Sequence, residues 1–282
     1  MRDIKIAKIP DFIEIIGPFA FHDCFDLQEI KFGSDSKIRK FEKYCFEKTA
    51  TETISVPASV TDFCEGSFYS CNKLKSIEIP TNSNLQRIGC IAISCTKIES
   101  IYFPSKLNKL DSQWSLRTES LNSIKVDKDN EYFKSYDEKL IIGKSSSEKE
   151  DFDVLVFASR DIEKVKIPDF IEIIGSSAFD SCAKICSFEI PKNSKLHTIG
   201  KSSFYNSSID YMKVNSQLTT IKKGAFESCQ KFKYIEFPSD SQLQTIEDKA
   251  FDGTSIEKFE IPNKITTLCN DVFSGCYNLN CV

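Results

Sequence analysis

Histidine is nearly absent from this sequence, with His22 and His197 the only two in 282 residues. General-base and metal chemistry rely heavily on imidazole, so little is available for either. No nucleophile motif accompanies either histidine, and both lie in polar stretches that read as surface. Glycine is scarce too, ten in all, and no glycine-rich phosphate loop occurs. Acids and bases are interspersed around a formal net charge of -4. With no basic stripe to neutralise phosphates, nucleic acid is excluded as the expected partner. No apolar run approaches the roughly 18 residues of a membrane span. The opening Met1–Lys8 has a charge every few residues and no apolar core, so it does not read as a secretory signal. Either a cytosolic protein or a piece of a longer one is expected from that start.

What is present is repetition. Lys8 to Gly17 reads KIPDFIEIIG, and Lys166 to Gly175 reads the same ten residues at an offset of 158. Within that long period an Ile-Pro signal recurs at Pro10, Pro57, Pro80, Pro104, Pro168, Pro191, Pro238 and Pro262, with Gly33, Asp127 and Asn215 in the same slot. Spacings are 23 or 24 throughout, apart from one of 41 between Asp127 and Pro168, an insertion of 18. This makes eleven units, and such a period signals a solenoid.

Each unit has the same grammar. An apolar pair three apart follows the proline, as Ile13 and Ile16, and five residues later comes Phe21, Phe46, Phe68, Phe179, Phe204, Phe226, Phe251 or Phe273, with Ile93 substituting once. A small residue precedes the Phe, and three residues after it a slot alternates between Cys and Thr or Ser: Cys24, Thr49, Cys71, Thr96, then Cys182, Ser207, Cys229, Thr254, Cys276. Next comes a short run such as Ile77-Glu78-Ile79, whose period of two predicts a strand that the proline ends. One strand per unit cannot bury its own apolar face. Stacking in register can, giving a parallel ladder about 50 Å long at roughly 4.8 Å per strand.

The string C-x-x-L-x-x-I-x-I-P at Cys71–Pro80 and I-G-x-x-A-F-x-x-C at Ile174–Cys182 together resemble the BspA-like (Treponema-type) leucine-rich repeat. The resemblance covers essentially the whole chain and implies a right-handed leucine-rich-repeat coil or horseshoe. The expected organisation is one solenoid over 1–282, with repeat blocks at 1–127 and 162–282 and an insertion at 128–161. In that insertion Leu140–Gly143 and Val154–Phe157 flank a polar stretch and predict a hairpin projecting from the coil. Around Leu107–Leu121 the pattern lapses, with Trp114 near the Phe slot and no Ala-Phe, which predicts an irregular coil.

The twelve cysteines include no C-x2-C pairs, so structural zinc is not expected, and eight of them hold repeat positions. They are expected as buried thiols; Cys90, Cys95, Cys186 and Cys281 have no repeat role. Slot cysteines two units apart would be separated by about 9–10 Å, beyond the usual disulfide limit of about 7 Å. No cofactor or metal is expected, and no catalysis.

The remaining candidate site is the outward face of the ladder. In one column stand Tyr102, Lys125, Lys213 and Glu236; in the neighbouring one Tyr211, Tyr234 and Lys258. Tyrosine favours interfaces, where its ring buries area and its hydroxyl finds a partner. The expected function is protein binding. The resemblance implies a cell-surface adhesin that engages host or matrix proteins such as fibronectin or fibrinogen; the alternative is an intracellular scaffold or inhibitor. Because the sequence stops inside a strand-like run, Leu279–Val282, end-to-end self-association is a further expectation.

Overall fold

A computed structural model describes residues 4–282. It comprises two compact units, divided between Glu138 and Lys139, and each is a β-solenoid with no helix among the described residues.

In the first unit longer strands alternate with two-residue ones. They are β1 (Ile6–Ile9), β2 (Ile15–Ile16), β3 (Glu29–Phe32), β4 (Lys40–Phe41), β5 (Thr53–Ser55), β6 (Asp62–Phe63), β7 (Ser76–Glu78), β8 (Arg87–Ile88), β9 (Ser100–Phe103), β10 (Lys109–Leu110), β11 (Ser123–Val126) and β12 (Phe133–Ser135). The odd strands β1 to β11 are the strands that period-two alternation predicts; β1 pairs with β3, and β5, β7, β9 and β11 form one parallel sheet. The even strands β2 to β10 make a second parallel ladder. Two apolar residues three apart carry no alternation, so this ladder is silent in the sequence.

The second unit repeats the plan in β15 (Lys164–Lys166), β16 (Ile173–Ile174), β17 (Ser187–Glu189), β18 (Thr198–Ile199), β19 (Tyr211–Lys213), β20 (Thr220–Ile221), β21 (Tyr234–Glu236) and β22 (Thr245–Ile246). Ahead of them stands the hairpin of β13 (Leu140–Gly143) and β14 (Val154–Ala158), antiparallel with an irregularity at Ile141/Ile142. The hairpin forms as expected but does not project. Its second strand pairs in parallel with β16, and Leu140, Ile142, Leu155 and Phe157 are buried. Apolar side chains on both strands make the hairpin part of the core.

The predicted Phe column is a stack of rings. Phe179, Phe204, Phe226 and Phe251 lie 4.9, 5.0 and 5.3 Å apart between successive centroids, with their planes nearly parallel. In the first unit Phe21, Phe46 and Phe68 follow at 5.6 and 5.5 Å. Each ring fills the space above the previous one, so burying one coil requires its neighbour.

The turn carrying each ring has a fixed backbone. Residues two before and two after the ring position have positive φ, as Phe19 and Asp23, Tyr44 and Lys48, or Gly224 and Ser228. Around Phe21, the N–H groups of Phe19, Phe21 and Asp23 donate to the next coil at Lys43, Cys45 and Glu47, while those of Ala20, His22 and Cys24 donate within the turn. Alternate amides thus join coils, and this bonding holds non-glycine residues in a region that ordinarily disfavours them. At Gly66 the strain has a second cause, because an added Cβ would lie 2.4 Å from the Tyr44 ring.

The coil around Trp114 is regular, contrary to expectation. Gln113 and Arg117 carry the two positive φ values, and the Ile93 N–H donates to the Trp114 carbonyl at 3.1 Å. Ser115 therefore holds the ring register, and Trp114, one residue earlier, turns its indole onto Phe103 at 5.6 Å. The shift swaps two residue types without disturbing the backbone.

The slot three residues past the ring closes the turn. The Cys71 thiol donates to the Phe46 carbonyl at 2.9 Å and the Cys229 thiol to that of Phe204 at 2.8 Å, while Thr49 and Ser207 hydroxyls contact these sulfurs at 3.4 Å. Burial pushes Cys71 up to about 11 and Cys229 up to about 12, so both stay protonated as donors.

The three slots without proline make local contacts of their own. The Asp11 carboxylate sits 1.9 Å from where a Cβ on Gly33 would be. Asn215 donates from Nδ2 to the Ser194 and Leu196 carbonyls at 2.8 and 3.1 Å, and Asp127 accepts the Asp129 N–H at 2.9 Å. Arg160 is another substitution of side chain for backbone. It is buried against the Phe157 ring, donates to the Ala158, Ala178 and Ser177 carbonyls, and lies 3.9 Å from buried Asp180.

Candidate binding faces

Period-two alternation decides which side chains leave the odd ladder outward, and the parallel register decides which of them meet. The seven sequence candidates fall into two groups. In the first unit Tyr102 on β9 is the cross-strand partner of Lys125 on β11. In the second unit Tyr211 faces Tyr234 and Lys213 faces Glu236 across β19 and β21, with Lys258 at a parallel bridge to Cys281.

The second group is tightly interlocked. Tyr211 and Tyr234 stack at 5.8 Å with planes 8° apart. The Tyr211 hydroxyl donates to Glu236 Oε2 at 2.7 Å, and Lys213 Nζ is paired with the other oxygen, Oε1. Both bonds hold the Glu236 carboxyl below the usual range, that from Lys213 first and that from Tyr211 next. Burial, then the bond to Glu236, raises the Tyr211 phenol to about 12. Despite this anchoring Tyr211 remains 39% exposed and Tyr234 37%. Ser187, the small cross-strand neighbour of Lys164 on β17, precedes Tyr211 in the same outward column. Lys258 is engaged by Glu260 at 2.6 Å.

In the first unit the Tyr102 hydroxyl donates to the Asp127 carboxylate, and the phenol rises to about 12, from burial and then this bond. Asp127 was not among the sequence candidates. A signal for it existed, since Tyr102 and Asp127 are 25 residues apart, as are Tyr211 and Glu236. The neighbouring column is a row of hydroxyls, Thr53, Ser76, Ser100 and Ser123, in continuous register.

Charges on these faces are largely paired between coils. Lys75 meets Glu52 at 3.0 Å, Lys166 meets Glu189 at 3.2 Å and Lys233 meets Glu257 at 3.5 Å. Exposed pairs of this kind add little stability, but they leave few free charges for a ligand.

The two histidines sit elsewhere. His22 lies between Asp23 and Glu47 at 3.4 and 3.1 Å, and His197 shares a 2.8 Å contact with the Thr198 hydroxyl. No group of three or more His, Cys, Asp or Glu side chains among the described residues is arranged to hold a metal ion. No described helix is long and apolar enough to cross a membrane.

A family model described as BspA type leucine rich repeat region, in six copies, matches residues 2–122 and 152–280. None of the curated proteins compared with the chain matches it. Among solved structures, a leucine rich cell surface protein of Faecalibacterium prausnitzii superposes with a TM-score of 0.77 at 24% identity, over 99% of this chain and 78% of that one. The pneumococcal vaccine antigen PcpA gives 0.72 at 23% identity, over 98% of this chain and 60% of that one, so this chain spans about three fifths of the antigen's length. A leucine-rich repeat protein from Bacteroides ovatus gives 0.53 at 17% identity, over 97% and 85%. At these identities the likeness concerns the fold.

Proposed function

Because the chain belongs to the BspA-type leucine-rich-repeat family, we propose that it is a non-catalytic binding protein that holds a protein ligand against its strand faces. The observation that carries this reading is the Tyr211–Tyr234 stack. The Tyr211 hydroxyl is held by Glu236, itself paired with Lys213, and the Tyr234 ring stacks on that of Tyr211, yet both rings remain more than a third exposed. Fixed aromatic rings lose little freedom on binding, which is what an interface anchor requires. The Tyr102–Lys125 pair supplies the corresponding anchor of the first unit.

The ligand assigned here is a host or matrix protein such as fibronectin or fibrinogen, met at the cell surface. The Faecalibacterium protein is described as a cell surface protein, in keeping with this placement. Purified chain should bind immobilised fibronectin or fibrinogen at micromolar concentration or below, and Tyr211→Ala or Tyr234→Ala should weaken binding about 10-fold, the scale of an interface hot spot. Absence of binding to matrix proteins and host cells at micromolar levels would remove the adhesin assignment. Buried thiols acting as donors at Cys71 and Cys229 favour the second reading, an intracellular scaffold. Localising the protein in its source cell separates the two.

A further inference from the structure

The tyrosine stack of the second unit ends at a small residue. Tyr211 and Tyr234 lie nearly parallel at 5.8 Å, and the Tyr211 hydroxyl reaches to Glu236 on β21, which draws its ring toward β21 and away from β17. The other face of the Tyr211 ring looks along its column to exposed Ser187, whose side chain is too short to cover it. Among the described residues no second ring and no cation packs on that face. Beyond Ser187 stands Lys164, its cross-strand partner on β15. Lys164 is exposed and has no ion pair among the described residues, whereas Lys166, Lys213 and Lys258 are each bonded to a glutamate.

From Lys164 to Tyr211 is two strand spacings, about 9–10 Å. Strand β17 belongs to the sheet of β15, and β19 to that of β21, so no backbone ladder ties β17 to β19 at a fixed spacing. Across Ser187 there is thus a slot with an aromatic face on one side and an unpaired ammonium on the other. Charge decides what fits it. A guanidinium stacked on Tyr211 would lie beside Lys164, and the carboxylate on the same strand, Glu189, is already bonded to Lys166 at 3.2 Å. An aliphatic side chain would fill the space but engage neither wall. An aromatic ring engages both, since stacked rings sit roughly 4.5–7 Å apart and an ammonium attracts a ring face within about 6 Å.

We propose that the slot over Ser187, between Tyr211 and Lys164, receives one aromatic side chain of the protein ligand, whose ring extends the tyrosine stack by one place. The inference rests on the reading of this face as the ligand-binding surface and adds the residue class that the ligand must present. Ser187 is the determinant, because a larger residue there would occupy the place itself.

The test uses the full chain with 13C-labelled tyrosine rings and three unlabelled pentapeptides, Gly-Gly-X-Gly-Gly with X as Tyr, Arg or Leu. The Tyr peptide should shift the Tyr211 ring signals saturably, and the other two should bind at least about fivefold more weakly. Ser187→Tyr puts an aromatic residue at an exposed strand position, which such residues suit, so the melting temperature should hold while Tyr-peptide binding falls by about 10-fold or more. Lys164→Met removes only the ammonium and should weaken it about two- to fivefold. Equal binding of the Arg or Leu peptide, no effect of either substitution, or no shift up to about 50 mM Tyr peptide (near the weak limit of a single side-chain contact) overturns the proposal. Immobilised fibronectin separates this inference from the reading beneath it. If fibronectin binding depends on Tyr211 yet ignores Ser187→Tyr, the slot falls and the binding face stands. If the Tyr peptide binds as described while fibronectin does not, the matrix assignment falls and the slot stands.

Discussion

Ser67 and Ser203 stand immediately before a stacked Phe, where Ala20, Ala178, Ala225 and Ala250 stand in other turns. Both are fully buried, and neither hydroxyl oxygen has a hydrogen-bond partner. Their backbone N–H groups bond to Cys64 and Gly200 carbonyls, as those of the alanines do within their own turns. Each hydroxyl therefore contributes a desolvation cost, about 1–3 kcal/mol for a buried unsatisfied polar group, without an offsetting bond. Replacement by alanine keeps the Cβ and leaves a void the size of one oxygen, so the expected gain is about 1 kcal/mol per site. The sites are in different units and share no partner, so Ser67→Ala and Ser203→Ala should add. In urea the midpoint should rise with an unchanged slope, and the melting temperature should rise by about 2 °C per substitution. Ser207→Ala is the control of opposite sign, because it removes the 3.4 Å contact with the buried Cys229 sulfur. It should lose roughly 0.5–1 kcal/mol. If Ser67→Ala and Ser203→Ala each destabilise by more than about 0.5 kcal/mol, the hydroxyls are bonded and the reasoning is wrong.

Arg160→Met should destabilise by about 3–5 kcal/mol in chemical denaturation, since it leaves Asp180 charged and buried; Asp180→Asn in the same background should recover part of the loss. Burial alone would raise the Asp153 carboxyl, but bonds from Lys149 and Ser145 outweigh it and hold it below the usual aspartate range. Its stabilisation is therefore present above the ordinary aspartate range and lost as pH falls through the lowered value. Protection factors of the amides in residues 144–153 should be high at pH 7 and fall once the pH drops below the ordinary aspartate range, whereas protection factors that stay constant would contradict the assignment. Because Lys213 and Glu236 are already paired, ligand affinity at the tyrosine face should change less than about threefold between 50 and 500 mM salt. A steep salt dependence would place the contact on free charges instead.

Much of this architecture was legible because it repeats. The Phe stack, the thiol and hydroxyl slot and the odd strands each recur once per unit, and period two assigned Tyr211 and Tyr234 to the outer face. The second ladder was not legible, because two residues such as Ile15 and Ile16 show no alternation. Nor were the positive φ pairs, since Phe19, Tyr44 and Ile91 hold positions that glycine marks only at Gly66, Gly224, Gly253 and Gly275. The hairpin was found but its place was misread. A polar turn suggested a projecting arm, while the apolar content of β13 and β14 was the better guide. The clamp on Tyr211 needed the inter-coil register, which links residues 25 apart.

The alternating amides of the ring-bearing turn limit where the chain can change length. From two residues before the ring to three after it, every second N–H reaches across to the next coil, so a single inserted residue would exchange the bonds that join coils for those that do not. The spacing between successive rings nevertheless varies between 22 and 25. That slack lies outside the turn: two residues' worth falls between core strand and ring, as in Ile54 to Phe68 against Ile30 to Phe46, and one residue between ring and strand. Loops on the even-ladder side are thus where sequence can be added or removed, and the turns are the fixed gauge against which they are measured.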